Sequence, residues 1–188
     1  MNLKLASTQL IQSNRRMTRL DLLNAVEAAI ETLYSKIRER NVAVFVRYPN
    51  PPVHAWVRGD HEKLQQVFIH LLDNAIKYSP IGGNVRIALC ARGQHWYLRI
   101  VDKGSGIPPE ILPTLLEERF SQADGSHSRV HRGIGVNMAA VRKIVEAHGG
   151  RVWIESNIGA GTAINVELPA AVVSPEKKEV SSVAHSSY

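Results

Sequence analysis

A single cysteine in 188 residues leaves Cys90 without a partner inside the chain, which excludes a disulfide framework and favours a reducing compartment. Cys90 stands in an alternating apolar segment and is expected to be a buried strand thiol. No run approaches the roughly 20 apolar residues of a membrane-crossing helix, and the N-terminus lacks the apolar core of a secretory signal. A soluble, cytoplasmic chain with no membrane contact is therefore expected. No internal repeat is visible. The 23 Lys and Arg outnumber the 17 Asp and Glu, giving a formal charge of +6. These cations are scattered and no recognised nucleic-acid-binding motif accompanies them, so nucleic acid is not an expected partner. A basic groove for an anionic ligand accounts for part of the surplus, and solvated faces for the rest.

With 44% apolar residues, the chain can bury a full core and suits one principal domain with flanking pieces. Leu22, Leu23, Val26, Ala29, Ile30, Leu33, Tyr34 and Ile37 recur at helical spacing, predicting a helix from its cap at Asp21 to Arg40-Asn41. Val42, Val44 and Val46 mark a strand stopped by the prolines from Pro49, and Ala55-Trp56-Val57 a short second strand. A long helix capped by Asp60 ends before Pro80. Val85, Ile87 and Leu89, then Trp96, Leu98 and Ile100, alternate on either side of Gly93-Gln94 and predict a β-hairpin. A short helix follows from about Pro109 to Glu118, then a polar stretch from Ser121 to Arg132. A further helix buries Val141, Ile144 and Val145 and is closed by Gly149 and Gly150. Two last strands flank Gly159-Ala-Gly161. Residues 1–16 are helix-compatible without a clean stripe, and periodicity disappears after Pro169, so 170–188 is expected to be a disordered tail. These elements sum to an α+β two-layer sandwich, a mixed and mostly antiparallel sheet with helices on one face.

The most informative run is His70-Leu-Leu-Asp-Asn74-Ala-Ile-Lys77-Tyr78-Ser-Pro80. On a helix, Leu64, Val67, Phe68, Leu71, Leu72 and Ala75 cluster on one face, while His70, Asn74, Lys77 and Tyr78 share the neighbouring arc of roughly 100°. An amide oxygen, an amine and an aromatic ring on one edge suit a magnesium ion, a phosphate and a flat base, which together suggest a nucleotide. The strand ending in Asp102 runs into Gly104-Ser-Gly106-Ile107. Glycines there let the backbone pass close to a flat ligand while the acid accepts from its edge, for instance from the amino group of adenine; a plain tight turn is the alternative. Gly133-Ile134-Gly135 opens the helix that ends at Gly149, where bare amides and a positive helix end could hold phosphates. His127, Arg129, His131 and Arg132 precede it, in a stretch that could close over a triphosphate or be a solvated loop.

Asn74, Asp102, the glycines and Gly161-Thr162, in this order and separation, resemble the ATP-binding catalytic domain of sensor histidine kinases of two-component systems. That domain belongs to the GHKL group with gyrase-type, MutL-type and chaperone ATPases. The resemblance spans residues 21–169 and implies the Bergerat ATP-binding fold. It implies ATP and Mg2+ as cofactors, with Asn74 on the metal, Lys77 on phosphate and Tyr78 flanking the base. Asp102 is similar to the acid that reads the adenine amino group, with Gly104, Gly106 and Ile107 in the first glycine box. Glu118-Arg119-Phe120 resembles the F box at one end of the ATP lid. Arg129 resembles a lid arginine that reaches the terminal phosphate, and Gly133, Ile134 and Gly135 the end of the second glycine box. Thr162 matches a residue that supports the Asp102 edge through hydroxyl or water contacts.

Three departures stand beside the resemblance. His70 occupies a position where the family commonly has Asn; it is the one catalytic candidate, orienting a water or a phosphate, or else a satisfied edge histidine. The second glycine box lacks its first glycine, at His131, and the lid is about two residues short. No histidine precedes His54, so the phosphoacceptor is absent. Residues 1–20 then read as the remnant of a dimerisation-domain helix and linker, and the γ-phosphoryl group would go to a histidine on a dimerisation domain in cis or trans, with a response regulator receiver domain as an indirect partner. The rival readings are a nucleotide-sensing regulatory module without phosphotransfer and an anti-sigma-factor-type serine kinase.

Overall fold

The long helix that carries the central motif has every local reason to form. Asp60 caps it, accepting from the Lys63 amide at 3.1 Å, and the helix then runs from His61 to Tyr78. Glu62 lies in its first turn and Lys77 in its last, the favourable ends for each charge. Ser79 leaves helical geometry at ψ 144°, as a residue before proline must. Leu64, Val67, Phe68, Leu71, Leu72, Ala75 and Ile76 are all buried along one side, the stripe the spacing predicts. The structure is a computed structural model that describes residues 17–48, 54–116 and 138–171.

Around this helix the order is β1 (Thr18–Asp21), α1 (Leu22–Thr32), α2 (Tyr34–Glu39), β2 (Ala43–Arg47), β3 (Trp56–Gly59), α3 (His61–Tyr78), β4 (Asn84–Arg92), β5 (His95–Asp102), α4 (Leu112–Leu115), α5 (Met138–Ala147), β6 (Arg151–Asn157) and β7 (Gly161–Pro169). Five strands form one sheet in the order β2-β4-β5-β7-β6. Only the β2–β4 pair is parallel; β4–β5, β5–β7 and β6–β7 are antiparallel. Val85, Ile87, Leu89, Trp96, Leu98, Ile100, Ile164, Val166 and Leu168 bury their side chains in one core with α1, α3 and α5. The other sheet face carries Phe45, 58% exposed, and a polar lattice in which Arg99 reaches Asn165 and Glu155 at 2.7 and 2.9 Å. The architecture is thus the mixed, mostly antiparallel two-layer sandwich expected. No helix among the described residues is long and apolar enough to cross a membrane.

Four details differ from the sequence reading. Thr18–Asp21, expected as the end of the helix remnant and linker with Asp21 as a cap, forms an antiparallel ribbon with Trp56–Gly59. The helix expected from Asp21 to Arg40 is two helices, because Leu33 leaves helical geometry (ψ 6°) while staying buried. Cys90 is exposed. Alternation on β4 sends Val85, Ile87 and Leu89 inward and so places Cys90 on the outer face. Ala170 and Ala171, assigned to the tail, donate to Gln94 and Trp56 carbonyls at 2.9 and 2.8 Å. Residues 1–16 and 172–188 lie outside the described residues.

Asp21 caps α1 through the Leu23 amide and also accepts from the Ala55 amide at 3.0 Å and meets His54 Nδ1 at 2.7 Å. One buried carboxylate therefore ties the start of α1 to the approach to β3. The far end of α3 is held from α2. Lys36 pairs with buried Asp73. Arg40, just past α2, donates to the Ile76 and Ser79 carbonyls at 3.0 and 2.9 Å, satisfying acceptors that a helix end leaves bare. Arg40→Ala is expected to lower unfolding stability by about 1–3 kcal/mol, since charged hydrogen bonds of this kind carry about that much. Urea denaturation followed by circular dichroism would measure it.

Candidate functional site

On α3, His70, Asn74, Lys77 and Tyr78 fall on one side, as the spacing predicts. His70 is buried, and its Nε2 lies 3.0 Å from Asn74 Nδ2. An amide nitrogen only donates, so in this contact Nε2 is the acceptor. The contact also fixes the direction of the Asn74 amide. With Nδ2 engaged by His70 and by Met138 Sδ at 3.9 Å, Oδ1 is the atom left for a ligand. A neutral amide oxygen is a hard donor of the kind magnesium accepts when phosphates and water supply the rest of its shell. Asp73, next to Asn74 in the motif, is turned away to Lys36. Lys77 Nζ lies 5.1 Å from the centroid of the Tyr78 ring, and that ring is 45% exposed. Partial burial, and secondarily the Asp73 carboxylate, push the Tyr78 phenol up from its ordinary value.

The second half of the site lies where the sheet meets the end of α3. Asp102 closes β5 and is 4% exposed. Its Oδ1 accepts from the Gly104 amide at 2.8 Å and the Thr162 amide at 3.3 Å. Burial pushes the Asp102 carboxyl up from its ordinary value, and the amides of Gly104 and Thr162 oppose that shift. At Gly104, Gly106 and Gly161 the structure shows close approach between protein segments. A Cβ at Gly104 would overlap the Tyr78 carbonyl oxygen, one at Gly106 the Asn157 carbonyl, and one at Gly161 the Asp102 carbonyl. They let the β5 loop close against α3 and against the β6–β7 turn, so the near approach is between protein segments. Gly106 and Gly161 also have φ of +73° and +91°, which a side chain would strain.

Thr162 meets Asp102 through its backbone amide, whereas the sequence reading assigned that support to hydroxyl or water contacts. Its hydroxyl lies 3.0 Å from Ser156 Oγ. Ser156 was not singled out from the sequence. It donates to the Gly161 carbonyl at 2.8 Å and accepts from the Ile107 amide at 2.9 Å, pinning the glycine-rich loop to the hairpin. The available signal was the symmetry of the last turn, which sets Ser156 opposite Thr162, a cross-strand hydroxyl pair. The F box Glu118-Arg119-Phe120, the polar stretch Ser121–Arg132 with Arg129, and Gly133, Ile134 and Gly135 lie outside the described residues. The short helix expected over Pro109 to Glu118 is Leu112–Leu115 within them.

The structure thus brings together a directed amide oxygen, a cation beside an exposed aromatic ring and a buried carboxylate. They sit on α3 and β5, which touch where Gly104 packs on Tyr78. Met138, at the start of α5, reaches Asn74 from the side. The family described as "Histidine kinase-, DNA gyrase B-, and HSP90-like ATPase" matches residues 59–172. Histidine protein kinase DivJ of Caulobacter vibrioides is 38% identical over 151 residues, covering 79% of this chain and 24% of the relative. The adaptive-response sensory kinase SasA of Prochlorococcus marinus is 32% identical over 154 residues, 80% of this chain and 40% of the relative. The chain therefore spans well under half the length of these curated relatives. A mycobacterial sensor histidine kinase, MprB, superposes with a TM-score of 0.66 at 28% identity over 82% of this chain and 97% of that one. The catalytic domain of histidine kinase ThkA shares the fold, with a TM-score of 0.70 at 24% identity over 82% of this chain and 96% of that one.

Asp102 gives a stability test with a definite sign. A carboxyl whose pKa is raised by burial binds its proton more tightly folded than unfolded, so its contribution is present below the ordinary Asp range and is lost as pH rises through the raised value. At neutral pH the charge therefore costs stability. Asp102→Asn is expected to melt at or above the parent at pH 7, with the difference shrinking as pH falls through the carboxylate range. Thermal melts at several pH values would decide it, and a variant clearly less stable at pH 7 would contradict the burial argument.

Proposed function

The chain belongs to the histidine kinase-, DNA gyrase B- and HSP90-like ATPase family, and on that premise we propose that it is the ATP-binding catalytic domain of a sensor histidine kinase in two-component signalling. The observation that carries the reading is the closure of Gly104 on the Tyr78 carbonyl, which brings the loop after the buried Asp102 against the end of α3. Residues 21–169 are the catalytic domain, and its setting is the cytoplasm. A histidine-bearing dimerisation domain, in cis or in trans, is the partner, and a response regulator receives the phosphoryl group afterwards.

In this reading the Asp102 carboxylate accepts from the adenine amino group, and Tyr78 covers one side of the base. Asn74 offers Oδ1 to magnesium, which His70 keeps pointed outward by holding Nδ2. Lys77 stands beside the phosphates, and Arg129 with the amides around Gly133, Ile134 and Gly135 completes their neutralisation. Bound Mg-ATP supplies the transferable phosphoryl group and the charge that the site must balance. The chain's own contribution is positioning and electrostatics, which carry most of phosphoryl transfer generally. His70 is a positioning residue here, since it acts through Asn74.

Calorimetric titration of the chain with a non-hydrolysable ATP analogue, with and without magnesium, tests the reading. Saturable binding that magnesium strengthens is expected. Asn74→Ala should remove about tenfold of the magnesium-dependent part, about 1.4 kcal/mol, and Asp102→Asn should abolish adenine-selective binding. A parent that binds no nucleotide would defeat the proposal. Mixing the chain and labelled ATP with the dimerisation domain of a similar kinase should give acid-labile, base-stable phosphate on that domain. Acid-stable label would point to serine instead.

A further inference from the structure

Ser156 has one proton and three polar neighbours. The Gly161 carbonyl, 2.8 Å away, can only accept, so the Ser156 proton goes there. The Ile107 amide, 2.9 Å away, can only donate. The remaining neighbour is Thr162 Oγ1 at 3.0 Å, and with the Ser156 proton spent, Thr162 must be the donor. Both lone pairs of Ser156 Oγ are then filled, by Ile107 N–H and Thr162 O–H. Thr162 has no further proton to give, and towards any ligand its oxygen is an acceptor only.

That assignment matters because of what stands next to it. In the β5–β7 ladder Ile100 faces Ile164 and Val101 faces Ala163, so the register continues to Asp102 and Thr162. Thr162 donates its amide to Asp102 Oδ1, and both residues lie on the helix-covered side of the sheet, among the buried polar groups. A carboxylate and a hydroxyl oxygen restricted to accepting therefore stand side by side where β5 ends and β7 begins. An amino group with its two N–H donors satisfies both, while a carbonyl oxygen in the same place meets two acceptors and no donor.

We propose that Ser156 is a positioning residue for base selection, fixing the Thr162 hydroxyl as an acceptor so that the edge it forms with Asp102 favours an amino group over a carbonyl. This rests on the nucleotide reading above and adds to it a residue that touches no ligand. Without Ser156, the Thr162 hydroxyl turns freely and can donate to a carbonyl, so discrimination falls while the phosphate and metal contacts remain.

The test is calorimetric titration of the full chain with Mg-ATP and with Mg-ITP, whose base carries a carbonyl where adenine carries an amine. The parent is expected to prefer ATP. Ser156→Ala should reduce the ATP-to-ITP affinity ratio about tenfold, and Ser156→Thr, which keeps the hydroxyl, should restore it. Thr162→Val, close in shape and at home in a strand, should reduce the ratio as well, and Ser156→Cys carries the test if Ser156→Ala fails to fold. An unchanged ratio in the Ser156 variant, whatever Thr162→Val does, or an equal loss of both nucleotides, overturns the proposal, since either result leaves Ser156 a structural residue only. A parent that binds neither nucleotide overturns the nucleotide reading itself, and this proposal with it.

Discussion

The Asp102 carboxylate is the constraint on which the rest of the site depends. Its Oδ1 takes two backbone amides, one from the loop that follows it and one from the neighbouring strand. Each amide comes with a glycine that cannot be replaced without displacing backbone: Gly104 against the Tyr78 carbonyl, Gly161 against the carbonyl of Asp102 itself. The end of β5, the C-terminal turn of α3 and the start of β7 are therefore fixed relative to one another around a single acid. The buried carboxylate gathers the donors, and the missing side chains let them come close enough.

This arrangement sets stability against recognition. An acid 4% exposed with its pKa pushed up by burial is a poor choice for holding a fold together at neutral pH, where its charge is desolvated. The two amides offset part of that cost and engage one oxygen. A further donor brought to the acid would offset more of it, so the group that weakens the fold at neutral pH is also the one that a matching donor rewards. The hydroxyl pair Ser156–Thr162 adds direction to the same edge at the cost of no further charge.

Much of this was legible in the sequence because its signals are periodic or local. The stripe from Leu64 to Ile76, the cap at Asp60 and the alternation on β4 and β5 state their elements directly, and the polar face of α3 follows from residue spacing alone. What escaped has a physical explanation too. Thr18–Asp21 is a strand only because Trp56–Gly59 is there to pair with it, and no pattern in four residues announces a distant partner. Cys90 was expected inside from its neighbours' polarity, although the alternation of Val85, Ile87 and Leu89 already placed it outside. That the glycines after Asp102 also make room for protein backbone more than 20 residues before them and 50 after could not be read from local spacing. Ser156 is signalled only by the symmetry of the last turn, which sets it opposite Thr162.

Described residues before Gly59 brace α3 from outside its own sequence. The family match begins at Gly59, yet α3 is held at both ends by residues before that point. Asp21 anchors the approach to β3, and Lys36 and Arg40 hold Asp73 and the last carbonyls of α3. Asp73 and Asn74 are adjacent on the helix, one pulled towards α2 and the other bonded to His70. Any shift of α2 along α3 must therefore either break the Lys36–Asp73 pair or carry Asn74 with it, together with the Tyr78 carbonyl on which Gly104 rests. A packed helix pair of this kind transmits displacement because close-packed interfaces do not deform by degrees. Lys36 and Arg40 are thus continuous with the helix that carries Asn74, through Asp73 and the last carbonyls of that helix.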